Sequence, residues 1–209
     1  MLDGAPQNGG SRNGAGFVLY VEGPGDRGIL RAWAHRLLPR SAHHVFERVV
    51  ILGGRQPARA LEHFAGAAHT GPGARGLCVL DRDDDGAGPP SGPEGLEFFT
   101  WSRRHIESYL LVPAALRRAL RGGAEEARLD RVLRDLLPAP ADEEAHRKLD
   151  AKRLLGPRGP LARALGRPPS LARIAQATRE DEHHPDVHAL FGLLRGALGC
   201  AEPAHPQRG

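Results

Sequence analysis

The sequence predicts an α/β fold, a mostly parallel four-stranded sheet flanked by helices with a C-terminal helical extension, on three observations. Short apolar runs alternate with stretches of helical periodicity through the first part of the chain, which is the pattern of βαβ crossovers. The runs are continuously apolar, as strands covered on both faces must be. Beyond about residue 122 the strand signals stop and the helical ones continue.

Phe17 to Val21 is the first run; it leads into Glu22 and a Gly/Pro turn, and Ile29 to Leu38 follows at helical spacing. Val45 to Leu52 is a second, β-branched run closed by Gly53-Gly54. Gln56 to Ala68 reads as a helix with Ala60, Leu61 and Phe64 on one face. Gly76 to Leu80 makes a third strand, stopped by an acidic loop, and Leu96 to Trp101 a fourth. The segment Arg103 to Leu111 and a helix from Pro113 to Arg121 come next. Ala124 to Leu137, His146 to Leu155 and Val187 to Leu198 have helical spacing, with proline-rich breaks at 138–140, 156–160 and 167–169. Residues 1–15 and 201–209 hold little to bury and are expected to be a disordered leader and a flexible tail. Between them the expected division is an α/β core over 16–121 and a helical part of the same domain over 122–200.

A length of 209 residues suits one domain, or one with a smaller helical appendage. With 40% hydrophobic and 26% charged residues the composition is that of a globular chain. No apolar run approaches the roughly 20 residues that span a bilayer, so no membrane partner is expected. Residues 1–16 lack the apolar centre of an export signal. Cys78 and Cys200 form neither a CxxC pair nor a disulfide framework; Cys78, inside an apolar run, is expected to be a buried thiol, and the cytoplasm is the expected compartment. The eleven histidines form no HExxH or zinc spacing and are expected at the surface. A net charge of +4 admits an anionic partner without requiring one. Almost all basic residues are arginine in a chain also rich in Ala, Gly and Pro, so arginine alone carries little information; the lysines are Lys148 and Lys152.

In an open parallel sheet, ligands gather outside the carboxyl ends of the strands. Here the first strand ends in Glu22 and the third in Asp81, Asp83, Asp84 and Asp85. If those strands lie close together, their carboxylates converge and repel unless a cation sits among them. Oxygen ligands without a His or Cys at matching spacing favour a hard ion, Mg²⁺ or Mn²⁺, over zinc. The alternative is a solvated acidic turn, for which Asp-Asp-Gly is common chemistry. Gly23-Pro24-Gly25-Asp26-Arg27-Gly28 satisfies GxGxxG, but Glu22 and Asp26 would crowd a pyrophosphate and Pro24 removes a backbone donor. GxxxxGK[ST] is absent, which excludes a P-loop. A haloacid dehalogenase-type phosphatase would carry its DxD after the first strand, and here it follows the third.

An apolar strand running into Glu22-Gly23 with Asp26 four positions on, then a strand ending in Asp81-Arg82-Asp83, resembles the Toprim domain of topoisomerases, bacterial primases and a group of nucleases. Further segments are similar to the nuclease half of the OLD (overcoming lysogenisation defect) family. These are Val50-Ile51-Leu52-Gly53-Gly54, the Arg104-His105-Ile106-Glu107-Ser108-Tyr109-Leu110 stretch, and Asp150-Ala151-Lys152-Arg153-Leu154-Leu155, where Ala151 stands in place of a common glycine. The segments are spread over most of residues 17–198. The resemblance implies a Toprim, Rossmann-like sheet and a metal-dependent endonuclease that hydrolyses the phosphodiester bonds of DNA or RNA with one or two Mg²⁺ or Mn²⁺ ions.

By this resemblance Glu22, Asp81 and Asp83 are catalytic metal ligands, with Asp26 and Glu107 as further ligands and Lys152 as the cationic partner of the transition state. Arg55, Arg103 and Arg104 are candidates to grip phosphate. Tyr109 reads as structural, and with Tyr20 the only other tyrosine, strand passage is not expected. OLD proteins join this half to an ABC-type ATPase, and this chain carries no Walker motif. The implied protein is therefore a stand-alone nuclease or one subunit paired with an ATPase partner, as in anti-phage defence systems; a homodimer is also compatible. The alternative is a non-catalytic Toprim-like nucleic-acid-binding or regulatory subunit of an ATPase complex.

Overall fold

The structure is a computed structural model that describes residues 16–66, 73–82, 90–120 and 126–200. The expected leader (1–15), tail (201–209) and Asp83 to Asp85 lie outside the described residues.

The chain folds as an α/β protein on a four-stranded, all-parallel sheet. Its strands are β1 (Phe17–Val21), β2 (Val49–Ile51), β3 (Arg75–Leu80) and β4 (Leu96–Thr100), in the order β2-β1-β3-β4. Every pair is parallel, with Tyr20 facing Val50 on one side and Cys78 on the other. Helix α1 (Pro24–Leu37) joins β1 to β2, and α2 (Pro57–Ala65) joins β2 to β3. The strand order reverses direction at β1, so β1 and β3 form the central pair where such sheets place their ligands.

Both faces of the central strands are covered, which explains their unbroken apolar sequence. Leu19 and Val21 of β1, with Leu77 and Val79 of β3, pack into the larger core with α1 and the C-terminal helices. Val18, Tyr20, Cys78 and Leu80 point the other way, into a smaller core completed by Ala60 and Phe64 of α2. Gly76 permits this second layer. A Cβ there would lie 2.9 Å from both the Phe64 ring and Leu96 Cδ1.

After β4 come a 3₁₀ turn (Ile106–Leu110) and the helices α3 (Pro113–Leu120), α4 (Glu126–Leu136), α5 (Glu143–Lys148), α6 (Ala151–Leu155), α7 (Pro160–Leu165), α8 (Leu171–Ala177) and α9 (Pro185–Ala197). Trp33 of α1 meets Trp101 and His183 edge-on, with ring centroids 6.3 and 5.8 Å apart. Such aromatic pairs contribute about 0.5–1.5 kcal/mol each beyond the area they bury. Among the described residues no helix is long and apolar enough to cross a membrane.

Four expectations are corrected. The run Val45 to Leu52 is not one strand: Arg40–Glu47 is a 3₁₀ helix and only Val49–Ile51 is strand. Ala42, Val45 and Phe46 are its buried residues, a three-and-four spacing that suits a helical turn better than a pleat. The helix expected over His146 to Leu155 is two helices, because Asp142 accepts from Ala145 N and Asp150 from Arg153 N, each starting a new helix. The proline-rich breaks at 156–160 and 167–169 separate helices as expected, but the two helices they bound, α7 and α8, were not expected. Pro160 opens α7 at its first turn and Gly166, at φ 70°, closes it. The histidines are not all at the surface either. His146 and His183 are 4% and 8% exposed, and the His183 ring is packed edge-on against Trp33. The Cys78 thiol is buried as expected, and burial pushes its pKa up to about 12.

Candidate functional site

The site is assembled at the carboxyl edge of β1 and β3. Glu22 is the residue after β1, and the Gly-Gly turn after β2 fixes its backbone. Gly53 N and Gly54 N both donate to Glu22 O at 3.0 Å, at φ of 81° and 117° that only glycine adopts without strain. Because β1 and β3 are neighbours, Asp81 N donates to Glu22 Oε1 at 2.8 Å. Gly23 caps α1, Pro24 opens it, and Asp26 Oδ2 accepts from Gly23 N at 2.9 Å. The GxGxxG match is thus a helix start with its first turn closed by a carboxylate.

Asp81 then gathers two more segments. Its Oδ1 accepts from Ile106 N at 3.1 Å, which draws in the 3₁₀ turn that carries Glu107. Its Oδ2 is 2.5 Å from Lys152 Nζ, in the first turn of α6. Glu22, Asp26, Asp81 and Glu107 are all buried, at 7–8% exposure, although they are carboxylates. Glu107 Oε2 is enclosed with no hydrogen-bond partner.

The electrostatics follow from this crowding. Burial pushes the Glu107 carboxyl up to about 7, with Asp26 and Asp81 adding to the rise and Lys152 opposing it. Glu22 and Asp26 are raised as well, first by burial and then by their acidic neighbours. At Lys152 burial favours the neutral amine, but the hydrogen bond to Asp81 and the surrounding carboxylates prevail and raise its pKa. The cluster holds more negative charge than its one ammonium offsets.

The donor chemistry fits a hard divalent cation. Every candidate ligand is a carboxylate oxygen, and the enclosed Glu107 Oε2 is an acceptor that lacks a donor. Convergence is incomplete: among the described residues no three His, Cys, Asp or Glu side chains are grouped to hold an ion, and Asp83 lies outside those residues.

The arginines divide. Arg55 Nη1 donates to Asp81 O at 2.9 Å and so borders the cluster. Arg103 is turned inward instead. Its Nε and Nη2 bind both oxygens of Glu143, at 3.0 and 2.6 Å, its Nη1 donates to Ser108 O, and its guanidinium lies over the Tyr109 ring. Arg104 O accepts from Arg82 N at 3.2 Å, which ties the segment after β4 to the end of β3. Tyr109 is buried at 3% exposure and tied into the fold. It donates a short hydrogen bond to Asp186 Oδ2 and accepts from Arg103 N, fastening the Glu107 turn to the start of α9.

Two residues escaped the sequence. Arg82 gives Nη1 to Ser102 O and Nη2 to Arg147 O, bracing the segment that carries Glu107. His105 has a buried, unpartnered Nδ1, and burial lowers its pKa despite the nearby Asp81 carboxylate. Its place two residues before Glu107 was the available signal, obscured by so many other histidines. No protein-family model matches the chain, and neither the curated proteins nor the solved structures searched give a match.

Proposed function

We propose that the protein is a metal-dependent nuclease of the Toprim and OLD kind, acting in the cytoplasm on DNA or RNA. The observation that carries this reading is the burial of Glu22, Asp26, Asp81 and Glu107 around one lysine at the switch point of a parallel sheet. Burying carboxylates is costly, and an arrangement that leaves one oxygen orphaned is expected where a cation is to be bound.

Glu22, Asp26, Asp81 and Glu107, with Asp83, would hold one or two Mg²⁺ or Mn²⁺ ions. A divalent ion there supplies electrophilic stabilisation of phosphodiester oxygens and acidifies water. Lys152 keeps its proton beside Asp81 and, with Asp81 engaged by an ion, would offer its positive charge to phosphate. Burial pushes Glu107 up to about 7, and a cation held there would favour its ionised form. Arg55 borders the same edge and adds cationic charge for the substrate.

One observation favours a second reading, a non-catalytic regulatory subunit of an ATPase complex: Lys152 already neutralises Asp81 at 2.5 Å, as it would in a site that never binds metal. Cleavage of supercoiled plasmid, linear DNA and structured RNA in Mg²⁺, Mn²⁺ and EDTA separates the two. Wild type is expected to cut at least one substrate only with metal. Asp81→Ala is expected to lose about 100-fold or more, since removing even an outer partner of a metal ligand costs roughly 10–100-fold. Binding of nucleic acid without cutting under any condition would transfer the case to the regulatory subunit.

A further inference from the structure

Next to the acid cluster the C-terminal helices enclose a trough. Three adjoining cavities make it up. The first, about 320 Å³, is lined by Glu107 and Lys152 together with Pro157 and Pro168. The second, about 270 Å³, shares Lys152 and Pro157 with the first and adds Arg153, Arg158 and Arg163. The third, about 500 Å³, shares Arg158 and Arg163 with the second and adds Arg167. The shared walls join them into one path that begins at the acid cluster and follows the turn from α6 into α7.

The charge of this path is one-sided. Arg153, Arg158, Arg163 and Arg167 are all exposed, and Glu107 at the cluster end is the only carboxylate among the residues lining the three cavities. Elsewhere arginines are matched by acids, as in Arg103 with Glu143, Arg117 with Asp130 and Arg118 with Glu182. Along the trough, Arg163 donates to Arg158 O at 2.6 Å, and no guanidinium there is paired with an acid among the described residues. Glycine makes the arrangement compact. A Cβ at Gly159 would lie 2.2 Å from Arg153 O and 2.6 Å from Leu154 O, so the turn closes directly on the backbone of α6.

A row of guanidinium groups spread along a channel, with proline rings between them, suits a polymer that repeats an anion and an apolar face. A compact anion would need donors converging on one point. A single nucleic-acid strand has the required repeat, its phosphates meeting arginine and its sugars and bases resting on the rings. We propose that the trough is the path of the substrate strand. It grips the phosphodiester backbone through Arg153, Arg158, Arg163 and Arg167 and delivers it to Glu107 and Lys152. This assignment rests on the nuclease reading for its destination, but the binding it asserts is measurable separately.

The test is fluorescence anisotropy of end-labelled single-stranded DNA and RNA in EDTA, where no metal-dependent cutting occurs. Wild type is compared with Arg158→Ala/Arg163→Ala/Arg167→Ala and with a charge-matched control on α4, Arg128→Ala/Arg131→Ala/Arg134→Ala. The trough variant is expected to bind about tenfold or more weakly at ~0.1 M salt. Its slope of log affinity against log salt is expected to fall by about 2, at roughly 0.7 per phosphate contact. The control is expected to stay near wild type. Equal losses in both variants, no loss in the trough variant, or equally effective competition by polyglutamate would each overturn the proposal. If the triple variant is unfolded by circular dichroism, the exposed single change Arg167→Glu replaces it, with weaker binding expected and unchanged binding overturning the path. A wild type that cuts nothing, yet loses strand binding only in the trough variant, keeps the path and removes the hydrolysis.

Discussion

Glu107 shows how one side chain can be determined by its surroundings. Its place in the 3₁₀ turn is set by Ile106 N on Asp81 and by Tyr109 on Asp186, so the carboxyl stays where burial disfavours its charge. His183 presents the same physics with the opposite sign. Neither ring nitrogen has a partner, and burial against Trp33 holds its pKa below the ordinary 6.5. His188 and Arg36 lower it further, and Glu180 opposes them. As pH falls through about 6.5 the unfolded chain takes up this proton and the folded one does not, so stability present at higher pH is lost. His183 thus lowers the melting temperature between about pH 7 and pH 5, at roughly 2–4 °C per kcal/mol for a chain of this size, while the raised Glu107 carboxyl, protonated first in the folded chain, works the other way. His183→Leu is expected to gain on wild type in melting temperature as pH falls through that window, with the like-signed contribution of His146 and the opposing one of Glu107 common to both proteins. Parallel pH profiles in the two proteins would show that His183 does not contribute.

At the scale of elements, the turn between α6 and α7 is the most exacting piece of the chain. Its backbone packs where a Cβ at Gly159 would lie well inside contact distance of two carbonyls. Gly159→Ala is expected to cost about 1–3 kcal/mol, the range for overpacking, and so to lower the melting temperature by several degrees. A variant that melts with wild type would mean the turn has room to relax. The sequence disclosed β1, β3, β4 and α9 to within a few residues, because each combines an apolar pattern with a clear stop, whereas α1 begins at Pro24, inside the stretch expected to be a Gly/Pro turn before Ile29. It did not disclose α7 and α8, which are 6 and 7 residues long. Helices so short show too little periodicity, and their caps, Pro160 and Ser170, resemble loop residues until the chain is folded. The 3₁₀ segment Arg40–Glu47 was missed because its valine and phenylalanine share the composition of a strand.

Across the whole molecule, the order β2-β1-β3-β4 makes Glu22 and Asp81 neighbours although 59 residues separate them. That convergence was legible as a condition, since both residues end apolar runs and the crossover rules leave few sheets in which such ends lie apart. The approach of Glu107 and Lys152 came from family resemblance alone; nothing in their spacing reveals the hydrogen bonds that draw both segments to Asp81. The inward turn of Arg103 was equally hidden, since its partner Glu143 lies 40 residues away on a helix that the sequence pattern merged with the next. A cation to offset the buried carboxylates is what the proposed function requires. Calorimetric titration with Mn²⁺ addresses that need, comparing wild type with Asp81→Asn and Glu107→Gln after both variants are shown to melt cooperatively. Saturable binding by wild type, weakened about tenfold or more in each variant, is the expected result. No binding by wild type, or equal affinity in all three proteins, would contradict a metal site at this edge of the sheet.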